Sequence, residues 1–531
     1  MVIHSHTDIV ESSNRTPVKV VTAFLVVLIA VAAAATLANS MTKPLGHDEQ
    51  MYCTAGVLLA EGKRIYRDFS YVAQMPYHPL LCAGLFKALD TTHYLLTVRL
   101  LSTVCDILIA ACIVVIYRRI FGPRMVIGSL LGAACLVLYL FNPFVDYANG
   151  FAWNHDPVVL CVVISLVLFT STDPEGRASR RRIALAAALL TFATCMRITT
   201  GLIELMFLVF LLVRPGRPLP QRLRNAAYFL IAAATVVVWP AWLIISAPRA
   251  VGLNLFQIPK LNAQFLEQTG LVFEKSKLAL AFVTTPACLL LVLIAFCLCI
   301  ALLLNRRSLK TPKAAQAVLA LLPASAFFVI AFIPPTAWIQ YFAAPVPFVL
   351  ISFALPISWL SRLRNRTCFN GIAIFIAASA LLAVVFHPVV LKRIPKLFDA
   401  NSWVPLELHN TSLDIAERTE SPGPILTLAP LFAIEGGCDI YTEFSAGPFA
   451  YRVADRLSPA DRAVTHTVGP ESLEKLIKTT NPSAVLLGQE PKNVETPLLR
   501  ATVQTQPDAW EKQTYPDELV VYFKRHANST D

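Results

Sequence analysis

Apolar residues run in blocks of roughly 15–25 along most of the chain, the length of helix that crosses a ~30 Å hydrocarbon core. The blocks lie near 19–40, 94–116, 125–142, 157–172, 183–197, 199–213, 225–247, 279–304, 316–333, 343–361 and 370–390. They predict about eleven transmembrane helices. Beyond 391 the pattern changes. Short apolar runs beginning Ile425-Leu-Thr-Leu, Ala484-Val-Leu-Leu and Leu519-Val-Val-Tyr-Phe read as strands between helical or loop segments. The expected fold class is a polytopic α-helical membrane protein, residues 19–390, followed by a small soluble α/β domain over 391–531.

Composition supports lipid as the solvent for most of the chain. Of 531 residues, 56% are hydrophobic and 15% charged, more apolar than a soluble core of this size needs. The net charge of +11 raises nucleic acid as a partner, but the basic residues flank apolar blocks instead of forming one face or tail, so it is set aside. Their distribution orients the chain. Alternate connections carry Arg118, Arg119 and Arg124, then Arg177 to Arg182, Arg214 to Arg224, Arg306 to Lys313, and Arg362 to Arg366. By the positive-inside rule these loops are cytoplasmic, and Arg15 and Lys19 place residues 1–18 with them. The first span reads as an uncleaved anchor, being long for the apolar core of a signal peptide.

The region 183–213 fits one tilted helix or two short ones. A single crossing would reverse every later basic loop, so parity favours a hairpin with Arg197 at its extracytoplasmic turn. The outer side then receives the loop 41–93, the short loop 143–156, the loop 248–278, the Pro-rich connection 334–342, and the C-terminal domain. Most cysteines lie inside apolar blocks, where Cys acts as a small hydrophobe. Cys53 and Cys82 are the two that a bridge outside the cell would join.

Polar chemistry concentrates just after the first span, at Gly46-His47-Asp48-Glu49. An Asp at the bilayer centre costs about 2.5–3.5 kcal/mol, so these carboxylates belong at the boundary or in a wet cavity. Adjacent helical residues do not share a face, so at most one points at a reacting group. The plain alternative is structural: Asp48 as N-cap of a helix over 49–61, closed by Gly62. Arg197, in a sunken turn, needs an anion, either a lipid phosphate or Glu204. Arg64 and Arg67 are further phosphate-binding candidates, with water as their alternative. His47, Asp48, Glu49 and His155 are residue types that hold a divalent metal, but their spacing is generic, so metal dependence is left open and no cofactor is assigned.

The run Asp48-Glu-x-x-Tyr52, Leu58-Leu-Ala-Glu-Gly62, Tyr66-Arg-Asp68-Phe, Pro76-Tyr-His78-Pro79-Leu and Arg99-Leu-Leu-Ser resembles the first extracytoplasmic loop of GT-C membrane glycosyltransferases, in particular the bacterial protein O-mannosyltransferase-like and aminoarabinose- or galacturonic-acid-transferase-like enzymes. The resemblance implies a GT-C-like fold in the bacterial cytoplasmic membrane. It also implies a polyprenyl-phosphate sugar donor, a lipid, glycan or protein acceptor, and inverting transfer at the outer face. It assigns the essential carboxylate to Asp48, with Glu49 as companion. It points to His155 and Asp156 in the second outer loop as support, against the alternative that Asp156-Pro157 only starts a helix. Trp338-Ile-Gln340-Tyr341-Phe-x-x-Pro345-x-Pro347 resembles a Tyr-Phe-x-x-x-x-Pro segment of related enzymes. With Tyr52, Tyr66 and His78, Gln340 and Tyr341 are candidates for sugar or lipid contact. The Tyr77-His78 insertion departs from the common Pro-Pro-Leu and alters the expected acceptor geometry. A transporter or flippase is the rival class, disfavoured because no internal repeat is visible and the charges lie outside the spans. A non-catalytic envelope-assembly protein is a third.

Overall fold

A computed structural model describes residues 6–170, 177–214, 217–270, 274–308, 314–334, 336, 338–419 and 421–525. Residues 1–5 of the expected cytoplasmic N-terminus, and Lys310 and Lys313 of the fourth basic loop, lie outside them. Each of the eleven apolar blocks contains a helix. Six segments among the described residues are both long and apolar enough to cross a membrane: Lys19–Thr42, Tyr94–Leu140, Leu219–Ser246, Pro286–Leu304, Ile339–Ser361 and Thr367–Phe386. Tyr94–Leu140 is itself two helices broken at Gly122-Pro-Arg124. His155–Thr170, Ile198–Val213 and Ala314–Ile330 are shorter apolar helices.

The first helices, in chain order, are α1 (His6–Thr42), α2 (His47–Ala60), α3 (Tyr77–Leu89), α4 (Tyr94–Phe121), α5 (Met125–Leu140), α6 (Pro143–Ala148), α7 (His155–Thr170), α8 (Arg177–Thr194), α9 (Gly201–Val213) and α10 (Leu219–Ser246). Helices α8 and α9 are separate, broken at Arg197, whose backbone is extended at φ −141° and ψ 106° before a single 3-10 turn.

Helix α2 begins where Gly46 donates its N–H to the Glu49 carboxylate at 2.7 Å and ends before Gly62 at φ +90°, a conformation open to glycine at little cost. It lies flat against α3 because Gly56 has no side chain. A Cβ there would stand 2.7 Å from Cys82 Cβ and 2.9 Å from the Phe86 ring. Cys53 and Cys82 are both buried free thiols, so no bridge joins them.

The C-terminal segment carries a four-stranded mixed sheet in the order β1-β2-β4-β3, with β1 at Ile425–Thr427, β2 at Ala484–Leu487, β3 at Trp510–Thr514 and β4 at Val520–Lys524. β1 and β2 are parallel, and the other pairs antiparallel. β3 was not among the expected strands. Its sequence, Trp-Glu-Lys-Gln-Thr, is largely exposed, as a sheet edge tolerates. One face of this sheet closes a core of its own, Leu426, Val485, Leu487 and Trp510 packing with Tyr441, Phe444, Leu473 and Leu498, and the other face is shared with the helices before it. Cys53, Val57, Phe86 and Val98 of the membrane half share one buried apolar cluster with Leu408, Leu431, Ile425 and Val521. The segment is therefore seated on α2, α3 and α4, not tethered beside them.

Candidate active site

Helix α2 starts two residues earlier than the sequence suggests. Its N-cap is Gly46, and Glu49 closes the capping interaction, so Asp48 is a residue of the first turn and not the cap. Its carboxylate makes no hydrogen bond or ion pair among the described residues. It is half-buried, and burial pushes its pKa up to about 6. The neighbouring Glu49 charge acts in the same direction, while His47 and Arg197 oppose it.

Glu49 has the opposite fate. Its side chain is fully buried against an equally buried Arg99. Arg99 Nε donates to Oε1 at 2.9 Å and Nη2 to Oε2 at 2.7 Å, while the Ala152 N–H donates to Oε1 at 2.6 Å. Arg99 spends its remaining N–H groups on the carbonyls of Ser40, Lys43 and Pro44. Both groups are saturated, in the two-pronged geometry that suits guanidinium and carboxylate. The pair fastens α2 to α1, α4 and the second outer loop.

Arg197 is half-buried and donates from Nη2 to Asn154 Oδ1 at 2.8 Å. The Asn154 amide in turn donates to Gln74 Oε1 at 2.7 Å and to the Met196 carbonyl at 3.0 Å, so one side chain joins the first loop, the second loop and the break between α8 and α9. Glu204 is not the anion for Arg197. It accepts from Thr191 and Thr194 at 2.6 and 2.7 Å instead. The Arg197 charge is felt at Asp48, Tyr52, His78, His155, Asp156 and Tyr341. With Arg197 itself, these residues come from four connections and form one neighbourhood.

Tyr52 meets His78 edge to face at 5.0 Å between ring centres and Tyr71 at 6.0 Å. Burial holds the His78 imidazole down at about 3, with Arg197 acting the same way, so it is a neutral wall. The inserted Tyr77 reaches away, its hydroxyl donating to the Val236 carbonyl of α10. Tyr66 stands behind Tyr71, 6.4 Å between ring centres, with its hydroxyl on the Gln74 carbonyl. Asp156 Oδ2 accepts from the Gly150 N–H at 2.8 Å, so it supports the second loop as well as starting α7. The turn carrying Gln340 and Tyr341 packs against α6 of that loop. Asp156 Oδ1, His155 Nδ1, Tyr71 Oη and Gln340 Oε1 are buried polar atoms with no partner, and such atoms are rare unless water or a ligand completes them.

Arg64 and Arg67 are exposed on the turn after α2. Arg67 lines a surface cavity of about 280 Å³ with Arg249 and His466, and the cations acting on Asp48 are His47 and Arg197. No group of three or more His, Cys, Asp or Glu side chains among the described residues is disposed to hold a metal ion. The four residues considered for one do not converge, since Glu49 is spent on Arg99 and His47 turns to Glu490 at 2.9 Å.

Arg99 and Asn154 organise the site, yet sequence reading did not single them out as site residues. The available signals were an Arg one turn inside an apolar block and an Asn just before His155-Asp156. Lys43 is a third: it donates to the carbonyls of Asp146, Tyr147 and Asn149 and so pins the second loop to the end of α1.

No family model matches the sequence, and no curated protein matches it. Among solved structures, ArnT from Cupriavidus metallidurans in the apo state aligns over 94% of this chain and 98% of its own, with a TM-score of 0.60 and 14% identity. The same protein bound to undecaprenyl phosphate gives 0.55 at 14% identity, over 95% and 99%. An oligosaccharyltransferase from Archaeoglobus fulgidus, crystallised with zinc and sulfate, gives 0.49 at 14% identity, over 94% of this chain and 73% of its own. At such identity the likeness is one of fold, and it extends over nearly the whole chain: this protein has the fold of the GT-C membrane glycosyltransferases.

Proposed function

We propose that the protein is an inverting glycosyltransferase that moves a sugar from a polyprenyl-phosphate donor to a lipid, glycan or protein acceptor at the outer face of the bacterial cytoplasmic membrane. In this reading residues 19–390 cross the membrane eleven times, and 391–531 form an α/β domain outside. Asp48 is the reacting carboxylate. The observation that carries the proposal is its position: an unpaired carboxylate facing the charge of Arg197, beside a neighbour, Glu49, whose every lone pair is engaged.

In the transfer the acceptor hydroxyl attacks the anomeric carbon from the face opposite the phosphate. The new C–O bond forms as the bond from that carbon to the phosphate oxygen breaks. The phosphate leaves with the electron pair, and the hydroxyl proton passes to Asp48. Arg197, held in place by Asn154, neutralises the charge that grows on the leaving phosphate. Where the acceptor is already ionised, Asp48 orients it. His155 and Asp156 keep the second loop against the site, while Tyr52, His78, Gln340 and Tyr341 supply contact surface. Glu49 acts as the anchor of α2 and not as a second reacting group. Arg64 and Arg67, exposed on their turn, belong to approach of the anionic lipid rather than to the leaving group. No step is routed through a metal, because among the described residues no three His, Cys, Asp or Glu side chains converge on one.

The test is transfer or hydrolysis of a polyprenyl-phosphate sugar by the purified protein. Wild type turns over, and Asp48→Asn loses on the order of 10²–10⁴-fold in kcat. Equal activity of the two would end the proposal. Reporter fusions after residues 215 and 400 test the topology, with opposite sides of the membrane expected.

A further inference from the structure

The C-terminal segment also reaches the first turn of α2. Gln50 Oε1 accepts the Leu431 N–H at 3.0 Å, and His47 Nδ1 meets Glu490 Oε1 at 2.9 Å. The partners of His47, Glu49 and Gln50 therefore surround Asp48 on its helix, and two of the three come from the C-terminal segment. Glu490 is built to stay where it is. Its side chain is 2% exposed, its other oxygen is bound by Arg452, and the loop that presents it is folded round Glu495, which accepts the N–H groups of Gly488, Gln489 and Glu490 at 2.7, 3.2 and 3.0 Å. His47 by contrast has a side chain 64% exposed. A rigid, buried carboxylate holding an open imidazole is more than the neutralisation of Arg452 requires.

We propose that Glu490 is a positioning residue of the active site, which fixes the first turn of α2 through His47 and so sets where the Asp48 carboxylate points and how easily it ionises. This rests on the reading of Asp48 as the reacting group. His47 is faced by Glu490 and Arg452 from the C-terminal segment and by Asp48 from its own helix. The hydrogen bond to Glu490 raises the pKa of His47, outweighing burial and Arg452. A charged His47 favours the ionised form of Asp48 against the burial and the Glu49 charge that oppose it. Removing the Glu490 charge releases His47, lowers its proton affinity, and leaves Asp48 with Arg197 as its remaining cation. The acid limb of activity then moves to higher pH, an effect that general loosening of the fold does not produce.

The experiment uses the full chain in detergent or nanodiscs with a polyprenyl-phosphate sugar and compares wild type, Glu490→Gln, His47→Gln, the double variant and Asp48→Asn. Glu490→Gln is expected to lower kcat on the order of ten- to a hundredfold, with KM for the donor changed less than kcat and the acid limb shifted upward. His47→Gln, at an exposed position that does not threaten folding, gives the same change, and the double variant adds nothing further. An inactive Asp48→Asn with unaltered kcat and pH profile in His47→Gln overturns the proposal, as do multiplicative effects in the double variant. Full activity in Asp48→Asn instead overturns the underlying assignment of Asp48, and the positioning role falls with it.

Discussion

Glu49 and Asp48 are neighbours with separable roles, and the buried pair with Arg99 allows them to be told apart. Glu49→Gln keeps size and shape but leaves the Arg99 guanidinium, 0% exposed, without its counter-charge. Breaking a buried pair from one side costs about 3–5 kcal/mol, because the remaining charge has lost its partner without regaining water. At roughly 2 °C per kcal/mol for a large cooperative unit, the thermal midpoint in micelles should fall by about 6–10 °C. Removing both charges in Glu49→Leu/Arg99→Met takes away the uncompensated ion, and apolar groups of similar volume are often neutral in such places. The double variant should recover more than half of the lost midpoint. Transfer activity measured on the same preparations gives the second reading. With Glu49 as an anchor, activity per folded molecule in the double variant stays within about tenfold of wild type, far above the 10²–10⁴-fold loss expected of a missing base. A double variant that recovers its midpoint but is as inactive as Asp48→Asn would refute the assignment and make Glu49 a reacting carboxylate.

Three further outcomes follow from the geometry. In the proposed mechanism Asp48 acts ionised, and burial raises its folded-state pKa to about 6, so kcat against pH should rise through about 6 and fall away in acid; a profile flat from 5 to 8 contradicts that role. Glu435 accepts the Leu95 N–H at 2.7 Å but is buried enough to raise its pKa from 4.5 to about 8. Between those values the folded form holds a proton the unfolded chain has released, so stability should decline as pH rises from about 4.5 to 8, by at most ~1.4 kcal/mol per unit; Glu435→Gln should flatten that slope in thermal unfolding, and an unchanged slope would be contrary evidence. Gly56→Ala places a methyl 2.7 Å from Cys82 Cβ and should cost about 1–3 kcal/mol by overpacking, read as a lower thermal midpoint; an unchanged midpoint would show that α2 and α3 can part freely.

The helical half was legible because lipid forces each crossing to be a long apolar run. Helices were therefore found at every expected block. The break at Arg197 was legible too, since charge parity required it. What stayed hidden depends on partners remote in sequence. Nothing near Glu49 announces Arg99, fifty residues on, and without that pair Glu49 looks as reactive as Asp48. The cap was misplaced for a local reason: Gly46 has no side chain to signal it, and Asp is the stronger N-cap by type. β3 was missed because an exposed edge strand can be polar and so lacks the apolar run by which its neighbours were found. Asn154 carried no signal beyond its motif, as amide hydrogen bonds to Gln74 in one connection and to Met196 and Arg197 in another follow from tertiary structure alone.

His47 and Glu490 are 443 residues apart in the chain. At a synthesis rate of about 5–20 residues per second, roughly 20–90 s separate their emergence from the ribosome. At the start of that interval α2 and its Asp48 are already made, and Leu431 and Glu490, which grip the turn that bears it, are still to come. A nascent chain that stops before them holds α2 through Arg99 and α3, without the contacts that grip its first turn from the C-terminal segment. Chain completion thus becomes the step that fixes the first turn of α2, however early its residues were made.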